Sequence, residues 1–244
     1  MFSVLDMFTI GVGPSSSHTV GPMCAAQAFA SSLEESGAVS RVGRIRVVLY
    51  GSLSLTGLGH GTDRAILAGL EGNVPATVDT DYLLSVRERC AHDGTIHVNG
   101  TNAIAYDDDG DMVFDRWKRL APHPNGMRFQ AFDAQGNIID EQVWYSIGGG
   151  FIRRGRIDDA LISNHEQTPA SSQSPEDSGN DEAAEYGDGV PYPFVSCDGL
   201  IDLCRKHHLS IADVVWANET ARRSPQEVRD RLTRIWNVMS HCID

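Results

Sequence analysis

Gly11-Val12-Gly13-Pro14-Ser15-Ser16-Ser17-His18-Thr19-Val20-Gly21-Pro22 sets three consecutive hydroxyls and an imidazole between glycines and prolines, just ahead of an apolar segment. Gly13 and Pro14 punctuate a turn, and Pro22 suits the first turn of a helix, where its missing N–H costs nothing. Met23, Ala26, Ala30 and Leu33 then recur on one helical face. The stretch predicts a loop feeding a helix N-terminus, with the serines and His18 at the junction. Free N–H groups and the positive end of the helix dipole converge there and can seat a carboxylate or a phosphate. An ordinary Ser-rich loop with Thr19 as N-cap is the alternative.

Three further polar clusters lie downstream, each at the end of an apolar segment. They are Gly51-Ser52-Leu53-Ser54-Leu55-Thr56-Gly57-Leu58-Gly59-His60-Gly61-Thr62-Asp63-Arg64, then Pro122-His123-Pro124-Asn125-Gly126-Met127, then Ser146-Ile147-Gly148-Gly149-Gly150-Phe151. Their glycines allow positive φ and leave no side chain in the way of a close approach. With the first stretch they gather hydroxyls, an amide, a carboxylate and three histidines at the ends of regular elements, where sites tend to form.

Outward from these clusters, Arg44 to Tyr50 alternates polar and apolar residues and predicts a strand with one buried face. It runs into a Gly-rich connection, Ser52–His60. Thr62 and Asp63 then supply an N-cap and first-turn acid for a short helix through Ile66, Leu67 and Leu70. Asp81 to Cys90 predicts a second helix with Leu83, Leu84 and Val86 on its apolar side. Thr95–Val98, Ala103–Tyr106, Met112–Phe114, Arg128–Phe132 and Ile138–Tyr145 are strand-like, with turns at Asp107–Gly110 and Ala134–Asn137. Ser163 to Pro193 is Ser, Pro, Glu, Asp and Gly with almost no apolar anchor, a linker composition. Beyond it the period turns helical, with Ser196, Ser210 and Ser224-Pro225-Gln226-Glu227 as helix starts. Val228, Leu232, Ile235, Trp236 and Met239 form one stripe, read as a packing face. The expected fold class is α+β: an N-terminal α/β sandwich-like domain with a mixed or largely antiparallel sheet (1–160), a linker (161–193) and a short all-α segment (194–244).

The 244 residues suffice for one large domain or two modest ones. A net charge of −13 argues against a nucleic-acid partner. No run approaches the roughly 18 apolar residues a membrane helix needs, and the N-terminus lacks the basic region of a secretory signal. The five cysteines (Cys24, Cys90, Cys197, Cys204, Cys242) are scattered, which fits free thiols in a reducing cytoplasm. His207-His208 and His241-Cys242 match no zinc-module spacing, so no metal site is assigned.

In this order the four clusters resemble the N-terminal β domain of the iron–sulfur-dependent L-serine dehydratases (L-serine ammonia-lyases). The similarity starts at Ser3-Val4-Leu5-Asp6-Met7-Phe8 and runs through Ser146–Phe151. It resumes at Cys197-Asp198-Gly199-Leu200 and continues past Asn218-Glu219. The resemblance makes residues 194–244 the beginning of the helical α domain, and the chain reads as a truncated piece of the enzyme. It implies a lyase of amino-acid catabolism and gluconeogenesis that eliminates water from L-serine to give pyruvate and ammonia. It also implies a [4Fe–4S] cluster whose cysteine ligands are not in this chain, since the five cysteines lack any C-x-x-C pair.

The resemblance casts His60 as acid or base, with Asp63 to orient or charge-couple it. A histidine suits this because its pKa lies near working pH. Ser15, Ser16 and Ser17 become candidates for the substrate carboxylate, and His18, His123 and Asn125 for ordering the substrate or its ammonium, with His18 and His123 also counted as catalytic candidates. Thr62, Ser146, Gly148 and Gly149 complete the expected substrate-binding set. The expected partners are L-serine and either a second copy in a homodimer or the missing α-domain portion. A serine hydrolase is disfavoured because no Gly-x-Ser-x-Gly elbow is present. A non-catalytic small-molecule-binding or regulatory module is the second reading, because the cluster ligands are lacking.

Overall fold

Strand β1 (Arg44–Tyr50) organises the sheet, and five of its seven residues are buried. It pairs antiparallel with β6 (Gly126–Phe132), in a register that sets Val47 opposite Phe129. On its other side it pairs parallel with β3 (Asn102–Ala105) at Arg44↔Ala105 and with β4 (Met112–Asp115) along Val47–Tyr50. With β2 (Thr95–Val98), β7 (Ile138–Gly148) and β8 (Phe151–Arg154) the strand order is β2-β3-β1-β6-β7-β8, β4 lying beside β1. The sheet is therefore mixed, as expected. The computed structural model describes residues 3–164 and 189–243. The chain divides into a sheet unit, Gly11–Thr168, and a second unit made of Met1–Ile10 with Pro169–Asp244.

Helix α1 (Gly21–Glu35) carries Pro22 in its first turn and buries Met23, Ala26, Ala30 and Leu33, the face its spacing predicts. Phe29 of the same helix stacks on Phe129 of β6 at 5.2 Å, which seats α1 on the sheet. Helix α3 (Thr62–Leu70) packs against α1, and Gly69 makes the approach possible. A Cβ there would stand 2.3 Å from the Met23 carbonyl. Helix α4 (Thr80–Asp93) starts from Asp79, whose side chain accepts from the Tyr82 N–H.

Several expectations change. The Ser52–His60 connection is helical, with α2 at Gly51–Thr56 and a 3-10 turn at Gly57–His60. Leu53 and Ser54 turn inward there, and the Ser54 hydroxyl donates to the Gly51 carbonyl. In α4, Leu83, Val86 and Cys90 face inward at helical spacing, whereas Leu84 lies one step round the helix and is exposed. Asp107–Gly110 leads into a short helical turn, α5 (Asp108–Asp111). Its buried Asp111 accepts from Arg44 and from the Asp107 N–H. β5 (Lys118–Leu120), β8 and β9 (Leu161–Ser163) were not anticipated, being short and without alternation. Leu161–Ser163 of the expected linker thus form a strand, paired with β5. Linker residues 165–188 lie outside the described residues.

The second unit holds α6 (Cys197–His207), α7 (Ile211–Thr220) and α8 (Pro225–His241), each begun by the expected serine. A reciprocal capping box forms at Ser210 and Asp213. At Ser224 the hydroxyl accepts from the Glu227 N–H. The buried Glu219 carboxylate accepts from the Ser3 hydroxyl, the Val4 N–H and Arg223. Those bonds tie the first residues of the chain to this helical unit. Of the expected α8 stripe Val228 is buried, while Trp236 and Met239 are exposed. Among the described residues no helix is long and apolar enough to cross a membrane.

Candidate active site

The Ser-rich stretch is wound rather than looped: Ser16–Val20 make a π-helical turn that runs straight into α1. Ser15, not Thr19, is the N-cap, its Oγ accepting the His18 N–H at 3.2 Å. Ser15 Oγ lies 3.4 Å from Ser17 Oγ, and Ser17 Oγ lies 2.9 Å from His18 Nδ1. The other ring nitrogen of His18, Nε2, meets Ser52 Oγ at 3.1 Å. Both ring nitrogens therefore have hydroxyl partners, which can donate or accept. Burial, then the neighbouring His60, lower the His18 pKa, and the Ser52 contact opposes them. The ring is held neutral by desolvation above all.

His60 closes the 3-10 turn. Its Nδ1 lies 2.9 Å from the Thr56 carbonyl. A carbonyl can only accept, so Nδ1 carries a proton there and Nε2 is the ring nitrogen left for another partner. The ring centroids of His18 and His60 are 4.9 Å apart, with the planes tilted by 42°.

The remaining clusters close a circuit around this pair. The Ser52 N–H donates to the Pro124 carbonyl at 2.9 Å. Only glycine fits just before it, since Gly51 has φ +56° and a Cβ would sit 2.2 Å from that carbonyl. Next along the chain, Asn125 Nδ2 donates to the Ser146 carbonyl at 3.2 Å, and the Ser146 N–H returns a bond to the Asn125 carbonyl at 3.0 Å. Ser146 then faces Gly21 at the start of α1, where a Cβ would stand 2.1 Å from the serine oxygen. That oxygen is buried and has no hydrogen-bond partner among the described residues. His123 accepts the Asn125 N–H on Nδ1 at 3.0 Å, which puts its proton on Nε2 in the neutral ring. Its ring lies 6.1 Å from that of Tyr145, and burial, then the Arg153 charge, lower its pKa.

Ser15, Ser17, His18 and His60 thus share one face, with Asn125, His123 and Ser146 linked to it through Ser52 and Pro124. Ser16 is exposed beside them. Thr62 is fully buried, and its hydroxyl donates to the His18 carbonyl, so it braces the site instead of facing a ligand. Asp63 does not orient His60: its buried carboxylate accepts from Arg87 of α4. Gly148 and Gly149, at φ 101° and 61°, turn β7 into β8 just beyond Ser146. Ser52 was missed, although its place directly after a left-handed glycine could have marked it. Arg87 and Tyr145 carried no local signal.

The thiols do not fit a cluster site. All five are free, two in the sheet unit and three in the helical unit. Among the described residues no three His, Cys, Asp or Glu side chains converge as metal ligands. Burial also pushes the Cys90 thiol up to about 11, with Glu71 adding to the shift, and it pushes Cys24 up too. Both shifts oppose the thiolate a cluster needs.

The family model described as serine dehydratase beta chain matches residues 3–156. Over 99% of its length the chain is 41% identical to the L-serine dehydratase of Streptomyces coelicolor, covering 49% of that protein. It is 38% identical over its whole length to L-serine dehydratase 1 of Escherichia coli, again covering 49%. Identity to the L-serine dehydratase of Haemophilus influenzae is 34%, with the same coverage. The chain spans about half the length of the curated relatives it matches. With the four clusters drawn into one circuit and the family model covering the segment that holds them, the chain belongs to the serine dehydratase beta chain family.

Proposed function

We propose that this chain supplies the substrate-holding and proton-transferring part of an L-serine dehydratase. The observation that carries the proposal is His60: its Nδ1 is tied to a backbone carbonyl, and its Nε2 is left as acceptor beside a second imidazole. On this reading Nε2 takes the α-proton of L-serine. The Cα–H electron pair becomes the Cα=Cβ bond as the Cβ–O bond breaks, and the hydroxyl leaves as water after gaining a proton. The resulting 2-aminoacrylate tautomerises to an imine, which water hydrolyses to pyruvate and ammonium.

Ser15 and Ser17, with the N–H groups of the turn they open, hold the carboxylate. Ser146 Oγ is an unused donor at the same helix start. Asn125 and His123 order the other end of the substrate. The family resemblance implies an iron–sulfur cluster, which would supply Lewis-acid help to the departing hydroxyl. Its ligands belong to a partner segment or polypeptide, because the cysteines here do not form a set. The free thiols support a reducing, cytoplasmic setting.

The test starts with binding. L-Serine titrated into chain labelled with ¹⁵N-histidine is expected to shift the His18 and His60 ring signals, with D-serine as control. Anaerobic pyruvate assays then compare the chain alone with the chain plus the remaining half of a relative, and turnover is expected only from the mixture. Ring signals that ignore L-serine would defeat the proposal. Binding without turnover in the mixture would favour the non-catalytic module.

A further inference from the structure

Two threonines lace the histidine turns together in both directions. Thr19, directly after His18, donates its hydroxyl to the His60 carbonyl at 2.9 Å. Thr62, two residues after His60, donates its hydroxyl to the His18 carbonyl. Both side chains are buried, at 1% and 0% exposure, so neither can reach a ligand in the site. Each is also roofed by a glycine. A Cβ on Gly13 would lie 2.4 Å from Thr19 Cγ2, and one on Gly57 would lie 2.8 Å from Thr62 Oγ1. The chain has thus cleared space for both threonines at the two places where the turns cross. A buried hydroxyl that loses its partner is left desolvated and unsatisfied, so each bond resists separation of the turns.

We propose that Thr19 and Thr62 are a reciprocal pair of positioning residues that sets the spacing and tilt of the His18 and His60 rings. The device acts through the backbone: each threonine fixes the peptide that carries the other turn's histidine. The importance of the spacing rests on the proton-transfer reading above. The bracing itself does not, and its test needs no substrate.

The test is the electrostatic coupling between the rings, followed by NMR titration of both imidazoles in the full chain. Replacing His60 by Gln removes that ring's electrostatic influence and is expected to raise the His18 midpoint, because His60 is among the causes that lower it. That rise measures how close the rings are held. It should fall to less than about half when the same replacement is made in Thr62→Val or Thr19→Val, since charge interactions weaken with separation. Thr62→Ser and Thr19→Ser keep the hydroxyl and should keep the full rise. Arg64, whose guanidinium lies over Gly61, adds a fixed charge common to all variants. An undiminished rise in the valine variants would overturn the proposal. Loss of the rise in the serine variants would overturn it too, by assigning the effect to the methyl group, and this arm decides even if a valine variant does not fold.

Discussion

The buried carboxylate of Asp63 accepts from the Arg87 guanidinium of α4, which reaches on to Asp108 with its other nitrogens. Tyr106 donates to the same Asp108, so α3, α4 and the segment before β4 share one polar knot. Asp108 holds its proton less tightly than usual, chiefly because of the Arg87 bond. Asp63, in the first turn of α3, is thereby fixed to the body of the sheet unit.

Removing the guanidinium leaves the Asp63 charge buried and uncompensated. Arg87→Met is expected to destabilise the chain by about 3 kcal/mol, the low end for a broken buried pair because Arg87 is itself partly exposed. Adding Asp63→Asn should return part of that loss. Urea midpoints for the single and double variants decide it, and an Arg87→Met midpoint matching wild type refutes the role assigned to the pair.

A second consequence concerns Gly21 and Ser146. At Gly21 only space is limiting, since a Cβ would overlap the serine oxygen and approach its Cβ to 2.9 Å. Gly21→Ala is expected to cost about 1–3 kcal/mol through overpacking. Because the two residues are in contact, Ser146→Gly in the same chain should make the double variant more stable than the sum of the singles, by about 1 kcal/mol. Strict additivity in a double-mutant cycle would show that the clash relaxes elsewhere.

Acid should destabilise the sheet unit through two half-buried imidazoles. His18 and His123 both have folded-state pKa values below the ordinary 6.5, with burial the main cause. Below pH 6.5 the unfolded chain binds more protons at these two sites than the folded one, so folding stability rises with pH there. Their contribution is complete above pH 6.5 and is lost as pH falls through the lowered folded values. Urea midpoints should drop between pH 7 and pH 5, and His18→Gln with His123→Gln should flatten the slope. An equally steep double variant would place the acid sensitivity elsewhere.

In the complemented dehydratase assay, His60→Ala should lose on the order of 10² to 10⁴-fold in turnover, the usual worth of a positioned general base. His18→Ala should chiefly raise the Michaelis constant, the signature of a lost binding contact. Turnover, inhibitor affinity and solvent exchange of the substrate α-proton separate the two. Near-normal turnover in His60→Ala, with exchange abolished in His18→Ala, would move the base to the other ring.

Features that depend on near neighbours were legible in residue order alone. The alternation of Arg44–Tyr50 placed β1 to the residue, and the spacing of Met23, Ala26, Ala30 and Leu33 named the buried face of α1. Ser196, Ser210 and Ser224 marked three helix starts, because a cap is a bond between residues three apart. The four clusters were legible as polar, glycine-rich ends of elements. Which partner each polar atom takes was settled by packing in three dimensions. Asp63 turns to Arg87, Thr62 to the His18 carbonyl, and Ser52 to the His18 ring, each across more than twenty residues of chain. Those choices follow from which buried groups the packed helices and sheet bring within hydrogen-bond reach, and residue spacing holds no record of that distance.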